Sequence, residues 1–252
     1  MDIGFQRSSV VMMNEAHAGE KRCIRTRQIG KRILPVAHQV GTRYLAMEAL
    51  FLAFAEQCNK TRRVAQADQG YLSQPEMREF IQTALDLGWT LIAYEANSFE
   101  WLSAKYGAAF QRPRNAQEYS KYQTNLLSME YTNWREEQQA LNLIGTLKSL
   151  PVGIPLLVWC GNSHHSKQAS PDWLPMGYQF KKISGIDHFV IDQLRTVNFD
   201  GSGHGNEFVA QFANELTSYG GTAGFLAEEA PSIFSGERIA DAYLLSTQND
   251  LE

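Results

Sequence analysis

Short apolar runs alternate with longer amphipathic segments along the chain. Residues 9–13 contain an uninterrupted apolar run from Val10 to Met13, which is typical of a strand buried on both faces. Further runs predict strands over 41–50, 89–97, 153–165 (with the exit loop of that strand), 188–197 and 241–247. The segments between them predict helices over 20–40, 75–87, 98–148 and 205–218. This alternation predicts an α/β fold, with a mostly parallel central sheet and helices on both faces in three layers.

The chain shows no sign of division into parts. No internal repeat, low-complexity tract or Pro/Ser-rich linker interrupts its 252 residues. We therefore predict a single α/β domain over 1–252, with a helical subregion over about 98–148. Leu251 and Glu252 are typical of residues left by an expression vector, and we assign them no structural role.

Composition and charge narrow the class of partner. A hydrophobic content of 44% with 20% charged residues is typical of a globular protein, and a net charge of -4 shows no basic excess for nucleic acid. The N-terminus lacks an apolar signal core, and no apolar run approaches membrane-spanning length. We expect a cytoplasmic protein that binds a small-molecule substrate, without nucleic-acid or membrane partners. The sequence does not indicate an oligomeric state.

Titratable and polar residues follow the apolar runs where the predicted strands end. They are Glu15 and His17 after the first strand, Glu48 in the second, Glu95 in the third, and Asn162, His164 and His165 after the fourth. Ligands of open parallel sheets bind beyond the carboxyl ends of the strands, so these residues are expected at one edge. Because buried charge is costly unless it is paired, their repetition at this edge favours a functional site.

Each of these residues also has a structural interpretation. Glu15 can cap the helix that follows it, and Glu95 can pair with the basic helix over 20–40. Histidines such as His17 and His164 are common in loops. Glu48 is flanked by apolar residues on both sides, so a structural role explains it less well.

Two predicted helices add charged and polar side chains. Arg135, Gln138, Gln139 and Asn142 recur at helical spacing, and an arginine on that face can hold a carboxylate or stabilise an oxyanion. The alternative is a solvated face on which Arg135 pairs with Gln139 or a nearby acid. The basic residues of the helix over 20–40 are expected to form a solvated face, with attraction of an anionic substrate as the alternative.

The segment "VVMMNEAHAGEKR" resembles the GExxH strand-end motif of the erythromycin esterase family, which shares a superfamily with ChaN-like haem-uptake proteins and TIKI-type metalloproteases. Asn14 replaces the usual glycine, and one residue instead of two separates Glu15 from His17. Three further segments are similar to family motifs in the same order: "YLAMEAL", "WREEQQALNL", and "LLVWCGNSHHSK" followed by "LPMGYQF". The matches span about residues 9–180, so the chain is identified as a divergent member of this superfamily.

The resemblance implies a hydrolase, and the residue types can support that chemistry. His17 is the expected general base, with Glu15 beside it and Glu48 orienting His17 or the water. His164 is expected to bind the oxyanion or protonate the leaving group, and Arg135 to stabilise negative charge. Glu95, Asn142, Asn162 and His165 are expected to bind substrate. No G-x-S-x-G elbow is present, which favours direct attack by water on an ester or lactone.

Other cofactors and activities remain open at this point. We favour a reaction without a cofactor, but Glu15, His17, Glu48 and His164 are also suitable ligands for a divalent metal (Zn, Mn or Co). A TIKI-like metal-dependent peptidase would use such a site. A ChaN-like haem-binding protein would need an axial ligand such as a tyrosine or His165. A further alternative is a degenerate member that acts through partner binding.

Overall fold

The computed structural model describes residues 1–17, 20–48, 50–66, 70–193, 213–218, 220–229 and 240–246. Within these residues the strands form one sheet in the order β3-β2-β4-β1-β5-β7-β6. The strands are β1 (Val10–Glu15), β2 (Tyr44–Met47), β3 (Thr90–Ala93), β4 (Leu156–Gly161), β5 (Phe189–Asp192), β6 (Thr222–Leu226) and β7 (Ala242–Ser246). All pairings are parallel except that of β6 with β7. The sheet confirms the predicted fold class.

The described helices connect the strands and flank the sheet. They are α1 (Asp2–Arg7), α2 (Glu20–Gln39), α3 (Leu52–Thr61), α4 (Pro75–Asp86), α5 (Ser98–Tyr106), α6 (Ala116–Ser120), α7 (Gln123–Leu126), α8 (Met129–Ser149), α9 (Met176–Ser184) and α10 (Ala213–Ser218). Short 3₁₀ turns cover Tyr71–Ser73, Gly107–Ala109 and Ala227–Glu229. None of the described helices has the length and hydrophobicity to cross a bilayer.

Alternate residues of the central strands contribute to two separate cores. Val11 and Met13 of β1 join the core that contains residues of α2, α3 and α4. Val10 and Met12 join the core that contains residues of α8 and α9. Because successive side chains of a strand point to opposite faces, a run that is apolar at every position requires cover on both sides. This arrangement confirms the predicted three layers.

The helix α2 packs closely against the sheet at Gly30. A Cβ added at Gly30 would lie 2.5 Å from the Trp159 indole, so only glycine lets α2 approach β4 this closely. The Phe80 ring of α4 packs against the same indole, with ring centroids 4.5 Å apart. The large Trp159 side chain thus determines the spacing between the sheet and this helical layer.

Several elements differ from the sequence-based expectations. The strands predicted over 41–50, 89–97 and 153–165 are shorter in the structure, whereas β1 extends to Glu15, beyond the predicted 9–13. The pattern did not indicate α1, α3, α9 or β6. The residue before α3, Phe51, provides no side-chain cap, so the sequence of this helix lacks a recognisable start signal. The predicted segments 194–197 and 205–212, together with residue 247, Leu251 and Glu252, lie outside the described residues.

Candidate active site

The strand order gathers the predicted residues at one edge of the sheet. The strand β4 lies between β1 and β2, and β3 lies on the far side of β2. Glu15 is the last residue of β1, Glu48 directly follows β2, and Gly161 ends β4. The loop after β4 therefore enters the space between the Glu15 and Glu48 carboxylates.

Glu48 contacts the loop after β4, the helix α8 and His164. Its Oε2 accepts a hydrogen bond from the Gly161 amide at 2.6 Å, and its Oε1 accepts one from Arg135 Nη2 at 2.6 Å. The same Oε1 lies 3.7 Å from His164 Nε2. Burial alone would raise the pKa of this carboxyl, but His164, Arg135 and the Gly161 amide outweigh burial and lower the pKa to about 2. Glu48 is therefore a permanent anion at physiological pH.

Arg135 of α8 connects the ends of β2 and β3. Its Nε and Nη2 donate to the two Glu95 carboxylate oxygens at 2.8 and 2.6 Å, and Nη2 also donates to Glu48. Burial opposes its charge, but Glu95 and Glu48 raise the pKa of the guanidinium above its usual value. One turn further along the helix, Gln139 Nε2 donates to Glu95 Oε1 at 3.0 Å. Asn142 Nδ2 donates to the Tyr94 carbonyl at 3.1 Å.

Glu136, which was not among the residues predicted from the sequence, forms an ion pair with His164. Its carboxylate is fully buried, and Oε1 lies 2.5 Å from His164 Nδ1. Trp173 Nε1 donates to Oε1 at 3.1 Å, and the Met176 amide donates to Oε2 at 2.6 Å. Burial lowers the His164 pKa, but the Glu48 and Glu136 carboxylates more than compensate, and the pKa is raised. The imidazolium form of His164 is thus stabilised between two acids.

The Met-Gly pair explains how α9 reaches Glu136. A Cβ at Gly177 would lie 2.2 Å from the His165 carbonyl oxygen, and the Gly177 amide donates to the His164 carbonyl at 2.8 Å. A glycine is therefore required where the helix packs against the histidine loop. The neighbouring Met176 amide is thereby presented to Glu136 at the N-terminus of α9, where a carboxylate is favoured.

Glu15 and His17 form a second acid–histidine pair. Glu15 is fully buried, and its Oε2 accepts a hydrogen bond from Arg27 Nε at 2.9 Å. Its Oε1 lies 3.6 Å from His17 Nε2, and 34% of the His17 side chain is exposed. The Tyr71 ring meets the imidazole edge-on, with centroids 5.6 Å apart, and also lies under the Arg27 guanidinium. His17 is thus held in place while remaining open to water.

The burial of Arg27 corrects the expectation of a solvated basic face. Arg25 and Arg27 of α2 are almost completely buried, whereas Lys31 is exposed and pairs with Glu79. Arg27 turns inward because the fully buried Glu15 carboxylate needs a counter-charge. Glu95, in turn, pairs with Arg135 and not with this helix.

Gly161 lies between the two acid–histidine pairs. A Cβ added at this glycine would lie 1.9 Å from Cε1 of His17, so the imidazole occupies the space that any other residue would fill. The Gly161 amide donates to Glu48, and its carbonyl accepts from the His164 amide at 3.2 Å. The backbone of this single residue therefore positions His17, Glu48 and His164 relative to one another.

Substitution of Gly161 by Ala is expected to displace the His17 ring and to slow any reaction that depends on His17 by about tenfold to a hundredfold, because a shift of about 1 Å can cost that much in rate. The measurement is kcat/KM of the variant beside Gly145→Ala, at a position on α8 where a Cβ meets nothing within 4 Å. Equal activities in the two variants would contradict this role of Gly161.

Asn14, which replaces the glycine of the resembled motif, connects three strand ends. Its Nδ2 donates to the Asn162 carbonyl at 2.8 Å and to Asp192 Oδ1 at 3.0 Å. Its Oδ1 accepts a hydrogen bond from the Gln193 amide at 2.9 Å. The replacement therefore provides polar contacts that glycine would lack.

The structure brings most of the predicted site residues together. Glu15, His17, Glu48, Glu95, Arg135 and His164 lie within the contacts described above, and Asn142 lies beside Glu95. Asn162 is exposed in the loop after β4, with a positive φ of 43°. His165 is fully buried, and its carbonyl accepts from His188 Nε2 at 3.1 Å. The His165 ring is thus inaccessible to a substrate in this conformation.

The carboxylates of the site do not fit a divalent metal as they are arranged. Arg27 binds Glu15, whereas Arg135 and the Gly161 amide bind the two oxygens of Glu48. A metal ion on Glu48 would have to displace the Arg135 guanidinium or the Gly161 amide. Among the described residues, no group of three or more His, Cys, Asp or Glu side chains has a geometry that could hold a metal.

Comparison with known proteins shows a shared fold. No protein-family model and no curated protein matches the sequence. A structure of ChaN from Campylobacter jejuni, described as binding haem cofacially, is similar over 98% of this chain and 91% of that chain, at 11% identity and a TM-score of 0.52. A Bacillus cereus protein is similar over 97% of this chain and 89% of its own, at 11% identity and a TM-score of 0.53.

The effector domain RRSP of a MARTX toxin from Vibrio vulnificus is similar over 76% of this chain, at 12% identity and a TM-score of 0.44. The chain spans about a third of the length of that structure and of another described as bacterial protein toxins, with 34% and 35% covered.

Proposed function

We propose that this protein is a hydrolase of the erythromycin-esterase-like type, which cleaves an ester or lactone by direct attack of water. The observation that carries the proposal is the presence of two acid–histidine pairs beside Gly161, Glu15–His17 and Glu136–His164, in which both carboxylates are buried. Purely structural packing gains little from burying two such couples, because each buried carboxylate must be compensated. The motif resemblance and the fold shared with ChaN are consistent with this superfamily.

His17 acts as the general base in this proposal. Glu15 lies on the Nε2 side of the ring, which favours a proton on Nε2 and leaves Nδ1 to accept one from water. Arg27 binds the other oxygen of Glu15 and holds the carboxylate where it can stabilise the imidazolium formed during attack. The exposure of His17 lets water and the reacting carbonyl approach it.

His164 acts as the general acid. The Glu48 and Glu136 carboxylates raise the His164 pKa and so favour the protonated form that a general acid needs. The imidazolium can bind the developing oxyanion and then donate its proton to the leaving-group oxygen. Glu136 is a positioning residue, because it acts through Nδ1 of His164.

Arg135 stabilises negative charge in the transition state. Its Nε and Nη2 are engaged by Glu95 and Glu48, which hold the guanidinium plane, whereas Nη1 has no hydrogen bond within the described part of the chain. A fixed guanidinium costs no reorganisation when charge develops, which is why preorganised donors contribute strongly to catalysis. Glu48 positions Arg135 and the Gly161 backbone together.

The alternatives have less support from the geometry. A haem site that uses His165 as axial ligand conflicts with the complete burial of that ring. A TIKI-like metallopeptidase needs carboxylates that are free to ligate, but Arg135 and the Gly161 amide engage both oxygens of Glu48.

The proposal is tested by a panel of 4-nitrophenyl esters and lactones of increasing size, assayed with and without a chelator. We expect turnover of at least one ester, with the rate unchanged by chelation. Loss of turnover on chelation would contradict the metal-free activation of water proposed here and would indicate a metal-dependent reaction. Absence of turnover across the panel, together with a Soret band on titration with haem, would favour the ligand-binding alternative.

A further inference from the structure

A cleft of about 680 Å³ opens directly beside the catalytic network, by which we mean the ion pairs of Arg135 with Glu48 and Glu95. It is bounded by the residues that follow β3, by the start of α3, by the start of α5 and by one face of α8; its lining includes Phe51, Leu52, Phe99, Arg112, Leu141 and Asn142. Glu95 also lines it, and Glu95 binds Arg135. The cleft therefore begins at Glu95, the residue of the network nearest to it. Its volume is in the range of sites that bind small molecules.

The cleft presents large apolar side chains to solvent. Phe51 is 68% exposed, Leu52 is 66% exposed and Leu141 is 41% exposed. Single exposed apolar residues are ordinary, but a cluster of them around one concave surface is typical of a ligand site. The apolar part of a ligand would bury these side chains.

The charge of the cleft favours an anion. Glu95 is neutralised by the two-point contact with Arg135. Arg112 lies with its guanidinium 4.8 Å above the Phe99 ring, and no acidic side chain pairs with it among the described residues. A guanidinium that is fixed by stacking is well suited to bind a carboxylate through two parallel hydrogen bonds.

We propose that this cleft binds an amphiphilic carboxylate, with its aliphatic or aromatic part against Phe51, Leu52 and Leu141 and its carboxylate on Arg112. The assignment of this molecule as part of the substrate rests on the proposed hydrolase function. The substrate class is then an ester or lactone that carries a remote carboxylate, connected to the reacting carbonyl by an apolar segment. Binding itself does not depend on the reaction.

The test measures binding without turnover. Sodium octanoate, octanol and octyltrimethylammonium are titrated into the full chain, and affinities are obtained from amide chemical shifts. We expect octanoate to bind more tightly than either of the other two by about tenfold or more, the contribution of a charge-assisted hydrogen bond. The shift changes are expected at residues of the cleft, such as Ala96 and Gly145.

Matched variants distinguish the contribution of Arg112 to binding from that of the apolar side chains. Arg112→Gln is expected to weaken octanoate binding by about tenfold and to leave octanol binding unchanged, whereas Leu52→Ser is expected to weaken both. Arg114→Gln and Leu127→Ser are the controls, since Arg114 is 86% exposed and paired with Glu118, and Leu127 is 75% exposed outside the cleft. Neither control is expected to change binding.

The failure of this inference can be distinguished from failure of the hydrolase proposal. Equal affinity of Arg112→Gln and the unmodified chain for octanoate, shift changes outside the cleft, or no binding would overturn the carboxylate site, whatever the ester panel shows. Octanoate binding that depends on Arg112, in a protein that hydrolyses no ester, would leave the carboxylate site standing and overturn its use for a substrate of hydrolysis.

Discussion

Replacement of His17 by Ala is expected to reduce ester hydrolysis by about 10²–10⁴-fold, which is the contribution of a positioned general base. The effect should fall on kcat more than on KM, because the base acts on water in the transition state and contributes little to ground-state binding. His17 is partly exposed and forms few contacts, so the fold should be retained. The measurement is kcat and KM for the best ester of the panel, with circular dichroism and thermal unfolding of the same samples.

A matched histidine outside the site provides the control. His38 lies near the end of α2, before β2 begins, where its ring accepts a hydrogen bond from Trp89 Nε1. That position is at the amino edge of the sheet, opposite the candidate site. We expect His38→Gln to retain activity. Equal turnover by His17→Ala and the unmodified chain would exclude His17 as the base and remove the central step of the proposed mechanism.

Substitution of Glu48 by Gln is expected to lower the free energy of unfolding by about 3–5 kcal/mol at neutral pH, the usual cost of breaking a buried ion pair. The variant leaves the Arg135 and His164 charges without their shared carboxylate. Activity should fall with stability, because Glu48 also holds the Gly161 amide. The measurement is denaturant unfolding of both proteins over a range of pH.

The stabilisation that Glu48 provides is expected to decrease as the pH falls. The Glu48 pKa falls from 4.5 to about 2 on folding, so the folded state binds fewer protons than the unfolded state between these values. The carboxylate therefore stabilises the protein above pH 4.5, and its contribution is lost as the pH falls towards 2. The difference in stability between the two proteins should shrink over this interval.

Glu79→Gln is the control for a surface ion pair. Glu79 pairs with Lys31 at 2.9 Å, and both side chains are largely exposed, so its removal should cost no more than about 1 kcal/mol. A loss of stability as small for Glu48→Gln as for Glu79→Gln would contradict the role of Glu48 as the buried anchor of the site.

The sequence predicted the fold class and much of the site for reasons that are local. Apolar runs such as Val10–Met13 require a strand that is covered on both faces. Glu48 and Glu95 follow such runs directly, and Glu15 follows one after a single residue. Parallel strands direct their carboxyl ends to the same edge, so the position of these acids in the chain was sufficient to place them there. Their individual roles in catalysis remain predictions until the variants are measured.

Two helices that lack a capping side chain at their N-terminus, α3 and α9, could not be predicted from the local sequence pattern. The helix α3 begins at Leu52, after a Phe51 that provides no cap, and α9 begins with Met176 directly after Pro175. Tertiary packing stabilises both, because α3 contributes Ala55 and Cys58 to one core and α9 contributes Phe180 to the other. The local sequence pattern carries no information about these contacts, because they join residues that are distant along the chain.

By itself, the sequence determined which segments are buried and which acids end the strands. The tertiary structure decided the partners: Arg27 for Glu15, Arg135 for Glu48 and Glu136 for His164. Glu48 and Arg135 are 87 positions apart. Pairing at such a separation depends on strand order and on the rotation of α8, and neither is encoded in a local pattern. The low dielectric of the interior then requires each buried charge to find the opposite charge that the fold brings nearest.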